Sequence, residues 1–311
     1  MKIIRDIKKN HQIPTALTIG NFDGVHLGHQ SMIHQVLLAG TRLDLMPSLM
    51  LFEPQPREFF HQKSSPARLT TLREKLEILK ETKIETVYVV RFDQTFSKMT
   101  AEYFLESILV KSLCLRWLLV GDDFRFGANR AGGFSLLENT SRRLGFAVEA
   151  MESINYSGQR ISSTAVRQSL KNGKLDTAEK LLGRQYSMSG KVRYGDALGR
   201  TIGFPTANIK VNRVRVPFTG IFAVRLLLDR RVLWGVASLG VRPTVKHDGE
   251  PILEVNIFDF NEDIYGKFLK VEFLIKIRDE KKFKTLDMMV LQMRDDKMKA
   301  KRIIAEYRVG V

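Results

Sequence analysis

Cysteine is almost absent: Cys114 is the single one in 311 residues, so no disulfide can form within the chain. Between Leu113 and Leu115 it reads as a small core residue in a protein kept under reducing conditions. Long apolar runs are missing as well. The opening Met1-Lys2-Ile3-Ile4-Arg5-Asp6 turns charged at once and lacks the apolar core of a signal peptide. No uncharged stretch reaches the length needed to cross a bilayer. These absences predict a soluble, cytoplasmic chain with no membrane partner. Internal repeats and low-complexity segments are also lacking, which excludes a repeat architecture. Acidic residues are the scarce charge, 34 against 50 Lys+Arg, for a formal net charge of +16. Such a balance suits nucleic acid, an anionic surface or small polyanions such as nucleotides. The excess is spread along the chain rather than gathered in a tail, so it reads as a solvated basic surface.

What is present fits two domains, since 44% hydrophobic residues are ample for two cores. In the first part, apolar runs at 16–19, 48–52, 86–92, 117–120 and 146–151 alternate with helical spacings at 72–79 and 101–109. Strand–helix alternation predicts an α/β, doubly wound parallel sheet whose ligands bind in the loops beyond the strands' carboxyl ends. The pattern changes after a short helix over 177–182 that Gly183 closes. Strand-like segments then follow one another at 187–193, 220–228, 232–239, 252–258 and 270–277, with turns between them. They predict an antiparallel β-barrel or sandwich. A terminal helix begins near Thr285, with Leu286, Met289, Val290 and Met293 on one face. The expected domains are 1–184 and 185–311.

The densest cluster of unusual residues follows the first of these strands: Gly20-Asn21-Phe22-Asp23-Gly24-Val25-His26-Leu27-Gly28-His29. Glycines permit a tight turn and close backbone approach, and a helix opening near Leu27 directs its free N–H groups at an anion. His26 and His29, three apart, share one side of the opening turn, and both could donate to phosphate oxygens. A metal reading of the pair needs a third ligand, for which only His34 is nearby. Later comes Ile161-Ser162-Ser163-Thr164-Ala165-Val166-Arg167, where Ser162 or Ser163 would cap a helix running to about Lys171. Alone it is an ordinary cap. Together the two elements resemble the nucleotidyltransferase superfamily. The resemblance implies transfer of a nucleotidyl group with loss of pyrophosphate. Gly20, Asn21, Phe22, Asp23 and Gly28 would then bind ATP, with His26 and His29 on the reacting phosphates. Ser162, Ser163, Thr164 and Arg167 would grip the β/γ end with Mg²⁺.

Two further stretches suggest the acceptor. Phe52-Glu53-Pro54-Gln55-Pro56-Arg57-Glu58-Phe59-Phe60 and Gly121-Asp122-Asp123-Phe124-Arg125-Phe126 join stiff or polar loops to aromatics, which could sandwich a flat ring or simply pack beneath the loops. Both resemble the flavin-binding loops of FMN adenylyltransferases, which implies flavin contacts from Pro54, Pro56, Phe59, Asp123, Phe124 and Phe126. Gln55 stands where the family often has His, and Asp123 where it often has Asn.

In the second part, three glycines and an arginine recur in Gly195-Asp196-Ala197-Leu198-Gly199-Arg200-Thr201-Ile202-Gly203, followed by Phe204-Pro205-Thr206-Ala207-Asn208. The spacing is not that of a Walker A loop. Thr206 and Asn208, two apart on an extended segment, share a face and offer oxygen ligands to Mg²⁺. This run, with Leu253-Glu254-Val255-Asn256 and Ile277-Arg278-Asp279-Glu280-Lys281-Lys282-Phe283, resembles riboflavin kinases. The resemblance implies that Gly195, Gly199, Arg200, Thr206 and Asn208 bind ATP and that Thr206 and Asn208 hold Mg²⁺. It makes Glu254 the base for the riboflavin hydroxyl and places Arg278 and Phe283 in a loop closing over the flavin. Asn256 departs from a His common in the family.

The two resemblances in tandem cover about residues 15–300 and match the order of prokaryotic bifunctional riboflavin kinase/FMN adenylyltransferases. They imply riboflavin, FMN and ATP as partners and FMN and FAD as products, with no nucleic acid; they leave the oligomeric state open. The alternatives are a nucleotidyltransferase acting on another phosphorylated acceptor and an RNA-binding protein built on an HxGH nucleotide fold.

Overall fold

The computed structural model describes residues 1–7, 13–62, 64–195, 199, 202–242 and 250–309. Contacts divide the chain into two compact units, Met1–Ser65 with Lys75–Ser162, and Pro66–Glu74 with Ser163–Val311. The short helices Ser163–Lys171 and Leu175–Leu182 therefore pack with the second unit, as does the excursion 66–74.

In the first unit, β1 (Lys2–Ile4), β2 (Thr15–Ile19), β3 (Met46–Glu53), β4 (Thr86–Arg91), β5 (Leu115–Gly121) and β6 (Ala147–Met151) form one sheet in the order β1-β4-β3-β2-β5-β6. Every pairing is parallel. The apolar runs decide which strands lie inside. β2 is buried at all five positions, whereas the edge strand β6 keeps no residue fully buried. The first edge, β1, pairs with β4 and went unread in the sequence because Lys2 and Arg5 break any apolar run. The order reverses at β2, between β3 and β5, which is where open parallel sheets form ligand crevices. Cys114 departs from the core role expected of it. It is only half-buried and has a left-handed backbone (φ 51°), forming the turn into β5.

A small hairpin, β7 (Asn155–Tyr156) with β8 (Gln159–Arg160), closes this unit. In the second unit, β9 (Ser187–Arg193), β10 (Ala207–Lys210), β11 (Gly220–Leu228), β12 (Arg231–Arg242), β13 (Glu250–Ile257) and β14 (Phe268–Arg278) close an antiparallel barrel in the order β10-β13-β12-β11-β14-β9. Period-two alternation fills it: Leu253 and Val255 of β13 point inward and are fully buried, so Glu254 and Asn256 face out of the wall. The terminal helix Leu286–Val309 lies on that outer wall, with Ala300 and Ile304 packed against Ala223, Phe258 and Leu274.

Candidate active sites

In the sheet unit, β2 runs straight into the cluster read from the sequence. Gly20 continues the ladder, its N–H donating to the Met50 carbonyl at 3.0 Å. The chain then turns sharply, with Phe22 at φ 47°, Gly24 at φ 84° and Val25 at φ 42°. Left-handed backbone is costly for an aromatic and more so for a β-branched residue, so neighbours must hold this turn in place. Phe22 and Val25 are fully buried and Asp23 nearly so. The Gln30 side-chain amide donates to the Val25 carbonyl at 2.9 Å.

The helix Leu27–Leu43 starts where expected, and His26 is its cap: Nδ1 accepts the N–H of His29 at 3.3 Å. An accepting Nδ1 puts the proton of neutral His26 on Nε2. The His26 and His29 rings stack with centroids 3.6 Å apart. A side chain at Gly28 would meet the His26 ring at 3.2 Å, a tight contact that only a shift of the ring would relieve. The spacing is thus a capped, stacked pair at a helix N-terminus, suited to an anion.

The loop after β3 leads into the short helix Pro56–Phe60. Pro54 is exposed and Pro56 half-buried. The Gln55 N–H donates to Glu58 Oε2 at 3.0 Å, and the buried Gln55 amide nitrogen has no partner among the described residues. Phe59 packs edge-on against Phe60 and Phe92. After β5, exposed Asp123 accepts from Arg160 at 3.3 Å. Phe126 belongs to the hydrophobic core and half-buried Phe124 stacks on it, centroids 5.5 Å apart. Both aromatics expected at a flavin here therefore join the same hydrophobic cluster, Phe126 within it and Phe124 at its margin. Ser162 is the last residue of this unit.

In the barrel unit, antiparallel register assembles the second site. Asn208 lies opposite Glu254, Glu254 opposite Ser238, Ser238 opposite Ile221 and Ile221 opposite Arg278. Opposed residues share a face, so this row stands on the outer wall. With Gly199, Thr206, Asn256 and Phe283 it lines a cavity of about 390 Å³, a size suited to a small molecule. Gly195 lets the backbone lie directly on the Asn208 amide, where a Cβ would collide. Arg200 lies outside the described residues. Thr206 and Asn208 offer a hydroxyl and an amide oxygen, donors that fit a hard cation such as Mg²⁺. No group of three or more His, Cys, Asp or Glu among the described residues could hold a metal, so such an ion would draw further oxygens from phosphate and water. The Asn256 amide donates to the Pro205 carbonyl at 2.8 Å and so anchors the segment that carries Thr206.

The far side of the cavity includes residues the sequence reading missed: Met289, Met293 and Asp296 of the terminal helix, and Glu280. Asp296 is nearly fully buried and grips Arg278 as a fork, Oδ2 standing 2.6 Å from Nη2 and Oδ1 2.9 Å from Nε. Arg278 Nη1 donates to the Asp279 carbonyl at 2.8 Å, and its guanidinium lies 5.9 Å from the Phe283 ring. Partial desolvation pushes the Glu280 carboxyl up, opposed by Arg278. The spacing of Met289, Met293 and Asp296 along one helical face was the available clue.

Also in this unit, Ser163 opens the helix Ser163–Lys171; Thr164 is exposed, and half-buried Arg167 donates from Nε to the Ala67 carbonyl at 2.7 Å. The excursion 66–74 is tied to the barrel by a buried ion pair, Arg213 Nη2 to Glu74 Oε2 at 2.6 Å. Glu74 also accepts from the Ser189 N–H at 2.7 Å, and Arg213 donates to the Leu69 carbonyl at 3.0 Å.

A family model for FAD synthetase matches residues 8–165, and one for riboflavin kinase matches residues 182–304. A bifunctional riboflavin kinase/FMN adenylyltransferase of Haemophilus influenzae is 45% identical over 97% of this chain and 98% of its own. One of Escherichia coli is 46% identical over 97% of each. Among solved structures, one described as a macrolide-efflux protein from Streptococcus pneumoniae matches with a TM-score of 0.79 and 31% identity, over 94% of this chain and 96% of that one. No helix among the described residues is long and apolar enough to cross a membrane. With the two matched domains in this order and nearly full-length relatives, the chain belongs to the bifunctional riboflavin kinase/FMN adenylyltransferase family.

Proposed function

We propose that the barrel unit phosphorylates riboflavin with ATP and that the sheet-bearing part transfers the AMP moiety of a second ATP to the FMN so formed. The division by activity falls near residue 184. The observation that carries the kinase half is the row Asn208–Glu254–Ser238 on the wall of a small-molecule cavity. Glu254 accepts the proton of the ribityl hydroxyl as its oxygen bonds to the γ-phosphorus; the bond to the β–γ bridging oxygen breaks and ADP leaves. Gly195, Gly199 and Arg200 cradle the ATP phosphates. Thr206 and Asn208 would hold Mg²⁺, which on binding with ATP supplies neutralisation of the phosphate charge. Arg278 and Phe283 border the flavin.

In the adenylyl-transfer half, an FMN phosphate oxygen bonds to the α-phosphorus and pyrophosphate leaves. His26 and His29 steady the reacting phosphates on the loop of Gly20, Asn21, Phe22, Asp23 and Gly28. Ser162, Ser163, Thr164 and Arg167 serve the pyrophosphate end. Pro54, Pro56, Phe59, Asp123 and Phe124 border the flavin, with Phe126 supporting Phe124. The reading uses cytoplasmic ATP and needs neither nucleic acid nor a membrane. Chromatography of products from riboflavin, ATP and Mg²⁺ tests it. FMN followed by FAD is the expected result; FMN alone would remove the adenylyl-transfer half, and neither product would overturn both.

A further inference from the structure

The helix Leu72–Glu81 carries a lysine that the reactions above do not use. Lys75 has no exposed surface at all, and it shares its helical face with fully buried Leu79. A buried ammonium demands a compensating partner. Here Nζ donates to the main-chain carbonyl of Asn21 at 2.5 Å, both residues lying in the sheet unit. That carbonyl belongs to the peptide that enters left-handed Phe22. At the other end of the same turn the Gln30 amide holds the carbonyl of left-handed Val25, the residue just before His26. The turn is thus gripped at its entrance by a cation and at its exit by an amide. Between them they fix where the His26 cap and the open helix N-terminus stand.

We propose that Lys75 is a positioning residue for adenylyl transfer: through the Asn21 carbonyl it holds the left-handed turn that sets His26 and His29 at the phosphates. The inference rests on the adenylyl-transfer reading above. A role in packing alone would be met equally well by methionine, whose unbranched side chain fills the same space.

The test compares full-length wild type with Lys75→Met, and with Lys75→Ala in the presence and absence of methylammonium. FAD formation from FMN and ATP is expected to lose about 100-fold in kcat in Lys75→Met, the effect of a small misplacement of reacting groups. Riboflavin phosphorylation by the same molecules stays within about twofold, as expected for an independent site. Methylammonium is expected to restore FAD formation to Lys75→Ala without altering phosphorylation. Hydrogen exchange at the amides of residues 21–26 is expected to quicken about tenfold in Lys75→Met while barrel amides are unchanged. That readout requires no catalysis, so it separates the two ideas: a wild type that makes no FAD defeats the functional reading, whereas unchanged exchange defeats the role of Lys75. Full FAD formation in Lys75→Met would also overturn the proposal. So would equal loss of both activities, or variants that fail to fold and gain nothing from methylammonium.

Discussion

In the sheet unit the phosphate-binding residues stand on a loop that leaves a strand end, whereas the central row of the barrel cavity, Asn208, Glu254 and Ser238, stands on strands and faces outward from the wall. The difference decides how each site is held. The loop 21–26 lies beyond the strand ladder, so its geometry is held by single bonds: Val25 N–H to the Phe22 carbonyl, Gln30 to Val25, Lys75 to Asn21 and the His26 cap on His29. The barrel row from Asn208 to Ile221 is fixed by hydrogen-bonded strand register, and a bulge between Ile221 and Phe222 sets Arg278 at its end. Loop sites are therefore sensitive to remote substitutions and wall sites to direct ones.

Four substitutions break or sharpen that contrast. The largest effect is expected from Glu254→Gln, which keeps the shape of the row and removes the proton acceptor. Initial rates of FMN formation should fall about 1,000-fold, while FAD formation from supplied FMN is unchanged. Unaltered phosphorylation would take Glu254 out of its role. Next comes the anchor of the barrel unit. Glu74→Ala leaves Arg213 buried without its carboxylate and should cost about 3 kcal/mol in denaturant unfolding. Adding Arg213→Met should recover most of the loss, and a wild-type midpoint in the single variant would show that 66–74 does not brace the barrel.

His29→Ala tests the loop site directly. FAD formation should drop about 100-fold with phosphorylation intact, and equal loss of both would refute two separate sites. The smallest expected effect is at the edge of the kinase cavity. Asp296→Asn weakens the fork that orients Arg278, so the riboflavin KM should rise about tenfold with kcat little changed. A loss confined to kcat would instead place Arg278 on the reacting phosphates.

Much of the barrel site was readable because its information is local. Period-two alternation at Leu253-Glu254-Val255-Asn256 says which residues share a face, and Thr206 and Asn208 follow the same rule to the same cavity. The start of the Leu27–Leu43 helix was readable for a similar reason, since Gly28 and the two histidines sit within one turn. What the cap does was less so: that His26 Nδ1 serves the helix depends on a ring orientation no spacing encodes. The aromatic loops were ambiguous because phenylalanine serves equally in a core or at a ligand, and only packing separates Phe126 from Phe124.

By itself, then, the sequence determined a parallel sheet followed by an antiparallel barrel or sandwich, the face that Thr206 and Asn208 share and the side of the helix start on which the two histidines stand. These follow from periodicities and caps that act over a few residues. Only the tertiary structure decided that Lys2–Ile4 closes a sheet edge on β4, that 66–74 belongs with the barrel through Glu74 and Arg213, that Asp296 holds Arg278, and that Lys75 is buried against Asn21. Each joins groups whose partners are chosen by how the sheet and the barrel close, and a charged side chain reads as solvated until the fold removes the water around it.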